Sequence, residues 1–202
     1  MITERDLVYK LEPYLPPHTA PDIARLIVKY SVRFRITMPR NSVYGDYLHP
    51  HKGDTHRITI NGNLNAFAFL VTTIHEFAHL MVWTKHGNYP KPHGDEWKYE
   101  YKVLMQPFFG RQIFPEDVEK ALRKYMNDPG ASSCSDTDLM LALRNYDRIK
   151  KMVLEDVPEH GHFFFQEREF VKGRKLRTRY ECREVSTNII YLIGQTAEIT
   201  LS

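Results

Sequence analysis

The sequence predicts an α+β fold in two parts, a helix-rich domain over residues 1–150 and a small β subdomain over residues 155–202. Three observations carry this. From Asn65 to Lys85 the chain has no helix breaker, so the stretch has the length of a helix and not of a strand. Short runs of period-two alternation precede it. After Pro158 helical spacing gives way to short strand-like runs joined by turn residues.

The elements follow in order. Ile23, Leu26, Ile27 and Tyr30 stand at helical spacing behind Pro21, which predicts an amphipathic helix over Asp22 to Tyr30. Val32 to Thr37 alternates Val32, Phe34 and Ile36 against Arg33, Arg35 and Thr37. Val43 to Leu48 and Arg57 to Ile60 are similar runs, so three antiparallel strands are expected. Asn61-Gly62-Asn63 closes the last of them, and Gly87 marks the end of the long helix. The two prolines between Gly87 and Pro92 turn the chain toward a second helix over Asp95 to Met105. Further helices are expected at Pro115 to Met126 and Ser135 to Arg148, the latter opening on a Ser-x-x-Asp pattern. In the tail, Phe163 to Phe165, Glu169 to Val171, Leu176 to Cys182 and Asn188 to Ile193 read as strands, with Lys172-Gly173 as a turn.

Composition bounds the function. With 42% hydrophobic and 26% charged residues, 12 Tyr and 11 Phe, the chain can build a core without a staple. The balance of 28 basic against 25 acidic residues leaves +3, too little to imply a nucleic-acid partner without local clustering. Cys134 and Cys182 form no C-x-x-C pair, which excludes a disulfide framework and a four-cysteine metal site. The charged N-terminus lacks the apolar run of a signal peptide. The apolar stretch Ala66 to Trp83 is interrupted by Thr72, Thr73, His75, Glu76 and His79, which are costly in lipid. A cytoplasmic protein with no membrane contact is expected.

The chemistry is concentrated in His75-Glu76-Phe77-Ala78-His79. On a helix, residues i and i+4 share a face, so both imidazoles can reach one ion, while Glu76 sits beside it, placed to take a proton from water. The surrounding Ile74, Phe77, Ala78, Leu80 and Val82 are apolar, so the polar trio needs partners that a divalent cation provides. A satisfied polar cluster in the core is the plain alternative. A hydrolytic site takes three protein ligands and leaves one position open. His86 is excluded, because seven residues of helix rise about 10 Å while ligands bond at about 2 Å. Lys85 is chemically unsuitable. His93, at the start of the next helix, and Glu100, further along it, both remain candidates for the third ligand.

The stretch HEFAHLMVWTKHGNYPKPHGDEW, with the preceding RITINGNLN, resembles the SprT-like, Spartan-related zinc metalloprotease family, over about Met1 to Gln106. The resemblance implies a minimal zincin-like domain with one catalytic Zn2+ on His75, His79 and His93 and Glu76 as general base. His93-Gly94-Asp95-Glu96-Trp97 is the second motif. It further implies an endopeptidase acting on proteins bound or crosslinked to DNA, so a protein substrate and DNA, single-stranded or protein-crosslinked, are the expected partners. Many members end in a zinc ribbon of two cysteine pairs. This tail has the strand rhythm of a ribbon but only Cys182, so a second zinc is not expected. The alternative class is a non-catalytic, zinc-stabilised module that binds nucleic acid or protein.

In GRKLRTRYECRE, Lys175, Arg177, Arg179 and Arg183 recur at period two, which would place them on one basic strand face suited to phosphates. Interspersed Glu167, Glu169, Glu181 and Glu184 equally suit a solvated face with cross-strand ion pairs. Ser132 to Ser135 reads as a loop and helix cap rather than a nucleophile. His49, His51 and His56 fall in a polar hairpin loop, and His160 and His162 in a linker. Tyr44 and Tyr47 are candidates for holding a developing oxyanion.

Overall fold

The computed structural model describes residues 3–40, 43–51, 53–88, 90–130 and 136–201. It divides the chain into a unit ending at Asp147 and a second beginning at Arg148. The architecture is mixed α+β, with two separate sheets.

The first unit opens with α1 (Glu4–Leu11), which the apolar spacing did not signal because its first turn is charged. Its start is nonetheless written in Thr3 and Asp6. Thr3 Oγ1 accepts from the Asp6 amide at 3.2 Å, and the Asp6 carboxylate accepts from the Thr3 amide at 2.9 Å. α2 (Ala20–Lys29) buries Ala20, Ile23, Ala24 and Ile27.

The strands β1 (Arg33–Thr37), β2 (Gly45–Leu48) and β3 (Arg57–Asn61) form a sheet in the order β1-β3-β2. The expected all-antiparallel arrangement is corrected: β1 runs parallel to β3, and only β2 is antiparallel to it. Alternation reports which residues share a face and is silent on strand direction. The chain between β1 and β3 contains β2 and is long enough for the crossover that a parallel pair needs. β2 is left as an edge strand.

The sheet presents Ile58, Ile60, Phe34 and Tyr47 to α3 (Ala66–His86), the central helix of this unit. Asn65 caps it by accepting from the Ala68 amide at 3.0 Å, and its own Nδ2 donates to the Leu143 carbonyl at 2.9 Å. Gly87, at φ 64°, ends it, its amide donating to the Trp83 carbonyl. By length and composition α3 could cross a membrane, yet 67% of its apolar window is buried inside the fold. α4 (Asp95–Met105) packs on it through the fully buried Trp97, Tyr101 and Met105. α5 (Glu116–Tyr125) and α6 (Thr137–Arg144) complete the unit with Val118, Leu122 and Leu139. The cap of α6 is Asp136, which accepts from the Leu139 amide at 2.9 Å, so the helix starts later than Ser135 and ends before Arg148.

The second unit is a five-stranded antiparallel sheet in the order β7-β6-β5-β4-β8. Its strands are β4 (His162–Phe165), β5 (Arg168–Lys175), β6 (Arg179–Glu184), β7 (Ile190–Gly194) and β8 (Thr200–Leu201). Leu154, Phe163, Phe170, Cys182 and Ile193 form its core. Lys172-Gly173 is not a turn but lies inside β5, at a register shift against β6. A Cβ on Gly173 would stand 2.5 Å from the Glu181 carbonyl oxygen, so the glycine serves a close approach of strands, which sequence cannot tell from a turn. Lys172 is itself buried, its ammonium donating to the Val157 carbonyl at 2.5 Å and the Glu155 carbonyl at 3.3 Å, and lying 4.0 Å from the Tyr180 ring centre.

Candidate metal centre

Two elements and a loop bring the candidate ligands together. α3 sets His75 and His79 one turn apart on one face. His93 arrives from the loop before α4 with φ 58°, a left-handed conformation that costs a non-glycine residue about 1–3 kcal/mol and is retained where the surroundings impose it. The Gly94 amide, donating to the Lys91 carbonyl at 2.9 Å, closes that turn.

The three Nε2 atoms converge. They lie 3.2 Å (His75 to His79), 2.9 Å (His79 to His93) and 3.2 Å (His75 to His93) apart. Hydrogen bonding cannot satisfy this triangle. Each neutral Nε2 is either a donor or an acceptor, and in a triangle at least two of the three are alike. A shared cation resolves the conflict, and nitrogens bonded at about 2.0–2.1 Å around a tetrahedral ion stand about 3.3 Å from one another. The observed separations fit. Burial, with the neighbouring imidazoles, pushes His75 down to about 2, and burial with His93 pushes His79 down to about 4. Burial also lowers His93. All three therefore present neutral rings with lone pairs, the form that binds metal.

Trp97 walls the centre. Its ring lies 4.6 Å from His75, 4.8 Å from His93 and 5.5 Å from His79 between centroids, and it stacks on Tyr101 at 4.9 Å. The indole Nε1 donates to the His75 carbonyl at 3.4 Å. Metal-binding imidazoles ordinarily donate their second N–H to a carboxylate or carbonyl. His75 Nδ1 has no such partner among the described residues, so packing against Trp97 and Tyr101 holds this ring instead.

Glu76 is 6% exposed, and no hydrogen bond holds its carboxylate among the described residues. Burial, reinforced by Asp46 and opposed by Arg40, pushes it up to about 8. The edge strand β2 lies directly against it: a Cβ on Gly45 would stand 2.8 Å from Glu76 Oε1 and 2.7 Å from Thr72 Cγ2. Only glycine permits that approach, a role the sequence reading missed. Tyr47, on the same face of β2, stacks on His79 with rings 6.5 Å apart and bonds through its hydroxyl to His56 Nδ1 at 2.9 Å. His49 and His56 pack on Trp83 at 5.7 and 5.3 Å, so these two loop histidines hold the hairpin to α3.

Comparison with protein-family models, curated proteins and solved structures finds no match for this chain.

The remaining candidates separate. Glu100 is 3% exposed and takes the Lys85 ammonium at 2.6 Å, outside the histidine cluster. The basic row predicted on one strand is corrected. Lys175 ends β5, Arg177 lies in the turn, and only Arg179 and Arg183 share a face of β6. Lys175 pairs with Glu155 at 2.7 Å, and Arg183 donates to Asn188 at 3.0 Å. The turn falls at the place where period-two spacing ran on without interruption. His162 bonds Glu169 at 2.8 Å and His160 sits in a turn at φ 62°. Ser132 to Ser135, with Cys134, lie outside the described residues.

Proposed function

We propose that the chain is a zinc-dependent endopeptidase of minimal zincin-like build, with one Zn2+ held by His75, His79 and His93. The observation that carries this is the histidine triangle with a buried, unbonded carboxylate one residue from its first member. A site that only locked two helices would have no use for Glu76. When bound, zinc supplies Lewis acidity, acidifying water and polarising a scissile carbonyl. Glu76 takes a proton from the attacking water as its oxygen bonds to the carbonyl carbon, and then hands that proton to the amine nitrogen as the peptide C–N bond breaks. Burial and then Asp46 hold its carboxyl up at about 8, and a bound cation would draw it down toward ionisation at neutral pH. The free edge of β2, brought to the carboxylate by Gly45, offers backbone groups to an extended peptide.

The SprT-like motifs extend the proposal to proteins bound or crosslinked to DNA. The test is cleavage of a disordered protein by zinc-loaded chain, with and without single-stranded DNA, alongside metal analysis. Expected are about one zinc per chain and cleavage that Glu76→Gln abolishes without metal loss. Metal-free protein, or full activity in that variant, overturns the reading. DNA-independent cleavage retains the peptidase and removes the DNA-linked substrate.

A further inference from the structure

Among the described residues seven buried side-chain polar atoms lack a hydrogen-bond partner, and three of them, Arg40 Nη2, Arg57 Nε and Thr59 Oγ1, belong to one surface. It is the face of the three-stranded sheet turned away from α3. Strand register lays Arg33, Arg57 and Leu48 in one row across it, and Arg35, Thr59 and Asp46 in the next. The alternate residues Phe34, Ile58, Ile60 and Tyr47 are given to the core.

Arg40 joins the same face at its far end. Its Nε donates to Asn61 Oδ1 at 2.9 Å, an oxygen that also accepts from Thr37 Oγ1 at 3.3 Å. Asn61 Nδ2 donates in turn to the carbonyls of Arg40 and Val43 at 3.0 and 2.9 Å. One asparagine, 2% exposed, therefore fixes both the backbone and the head of Arg40 while leaving Nη2 unused.

The charges favour an anion. Arg33 is engaged by Asp54 at 2.9 Å. Arg35 and Arg57 in the rows, with Arg40 beside them, stand against Asp46 on this face, and Glu76 lies within electrostatic reach of Arg40. Thr59 is 7% exposed, and all three orphan atoms can donate hydrogen bonds. Buried donors without acceptors are costly and rare. A tetrahedral oxyanion supplies acceptors on several sides at once, and guanidinium forks match it in shape and charge. Exposed Arg35, the register partner of Thr59, gives such a group a way in.

We propose that this sheet face, through Arg35, Arg40, Arg57 and Thr59, is a phosphate-binding site. Arg40 and Asp46, within electrostatic reach of Glu76, link it to the histidine centre, but it requires neither metal nor hydrolysis. A free phosphate or phosphomonoester and the phosphodiester of a nucleic-acid backbone present the same oxygens, and two probes separate them.

The experiment titrates the full chain calorimetrically with inorganic phosphate and, separately, with a short single-stranded oligonucleotide, each against chloride at matched ionic strength. Expected is saturable binding of at least one probe, weakened on the order of 10-fold or more by Arg35→Ala and by Thr59→Val. Thr59→Val removes a buried, unpaired hydroxyl at constant size, so its unliganded thermal stability is expected to hold or rise, which separates lost binding from lost fold. Binding of phosphate alone assigns a small phosphorylated ligand, and binding of the oligonucleotide alone assigns a nucleic-acid backbone. No preference over chloride, or binding unchanged in both variants, overturns the proposal.

Discussion

Both units bury ionisable groups, and although the helical unit pairs Glu100 with Lys85 at 2.6 Å as the β unit pairs its own, it leaves one cluster without such partners. In the β unit the partners are built in: Lys172 has two carbonyls and a ring face, and Glu184, 4% exposed, has Arg168 at 2.5 Å and the Thr187 hydroxyl. In the helical unit His75, His79, His93 and Glu76 have no complement of the opposite charge in hydrogen-bond contact among the described residues. A polar cluster that satisfies itself serves the fold. One that stays unsatisfied at the cost of burial is kept for something that binds there.

The largest expected effect breaks this comparison at Glu76. Glu76→Gln keeps the shape of the side chain and removes the base, so kcat is expected to fall by about 10²–10⁴-fold with zinc content unchanged. Steady-state kinetics beside metal analysis reads both. A fall in zinc content equal to the fall in rate would make Glu76 structural, like its counterparts in the β unit.

Next is Gly45→Ala. The added methyl would meet Thr72 Cγ2 at 2.7 Å and the Glu76 carboxylate at 2.8 Å, so β2 and the Glu76 carboxylate cannot both keep their positions. Misplacing a reacting group by about 1 Å can cost about 10²-fold in rate. The expected signature is a fall in kcat with zinc binding preserved, and wild-type kinetics would show that β2 does not set the position of Glu76.

Lys172→Met tests the other side. It removes the donor shared by Glu155 and Val157 while keeping the apolar stem, leaving the buried Val157 carbonyl unpaired at about 1–3 kcal/mol and the half-buried Glu155 carbonyl without its donor. Amide exchange is expected to quicken in β4 to β6, with zinc content and cleavage unaltered. Unchanged protection would show that the buried ammonium is not what ties the 154–157 segment to the sheet.

How much of this was legible in the sequence follows the same divide. The helix carrying His75 and His79, its Asn65 and Gly87 ends and the second helix from Asp95 to Met105 are written in local spacing and capping, and all stand where expected. What sequence did not show depends on partners distant along the chain. The direction of β1 relative to β3 leaves no trace in alternation. Gly45 reads as an ordinary member of an alternating run, and its reason is the carboxylate of a helix still to come. Gly173 read as a turn for the complementary reason, since a glycine demanded by a close strand neighbour looks like one demanded by a bend. The basic row from Lys175 to Arg183 kept its period through a hairpin turn, so its regularity did not mean one face.

The smallest expected effect concerns acid. Hydrogen bonds from Arg168 and then Thr187, outweighing the opposing desolvation, hold the Glu184 carboxyl at about 2, against 4.5 for a free glutamate. A carboxyl depressed in the fold binds its proton more readily when unfolded. Its contribution is therefore fully present above pH 4.5 and is lost as pH falls from there through about 2. Glu184→Gln lacks that titration, so the stability of the β unit in the variant should depend less on pH across this window, while at neutral pH the variant is the less stable. Glu76 behaves in the opposite sense, because burial raises it, and in metal-free protein its protonated form is the one the fold prefers. Acid titration of the metal-free chain, followed separately in the two units by amide exchange, should then show the β unit weakening below pH 4.5 through Glu184. An unaltered acid limb in Glu184→Gln would mean that the Arg168 pair is too solvent-screened to matter, and that self-satisfaction in the β unit rests on Lys172 alone.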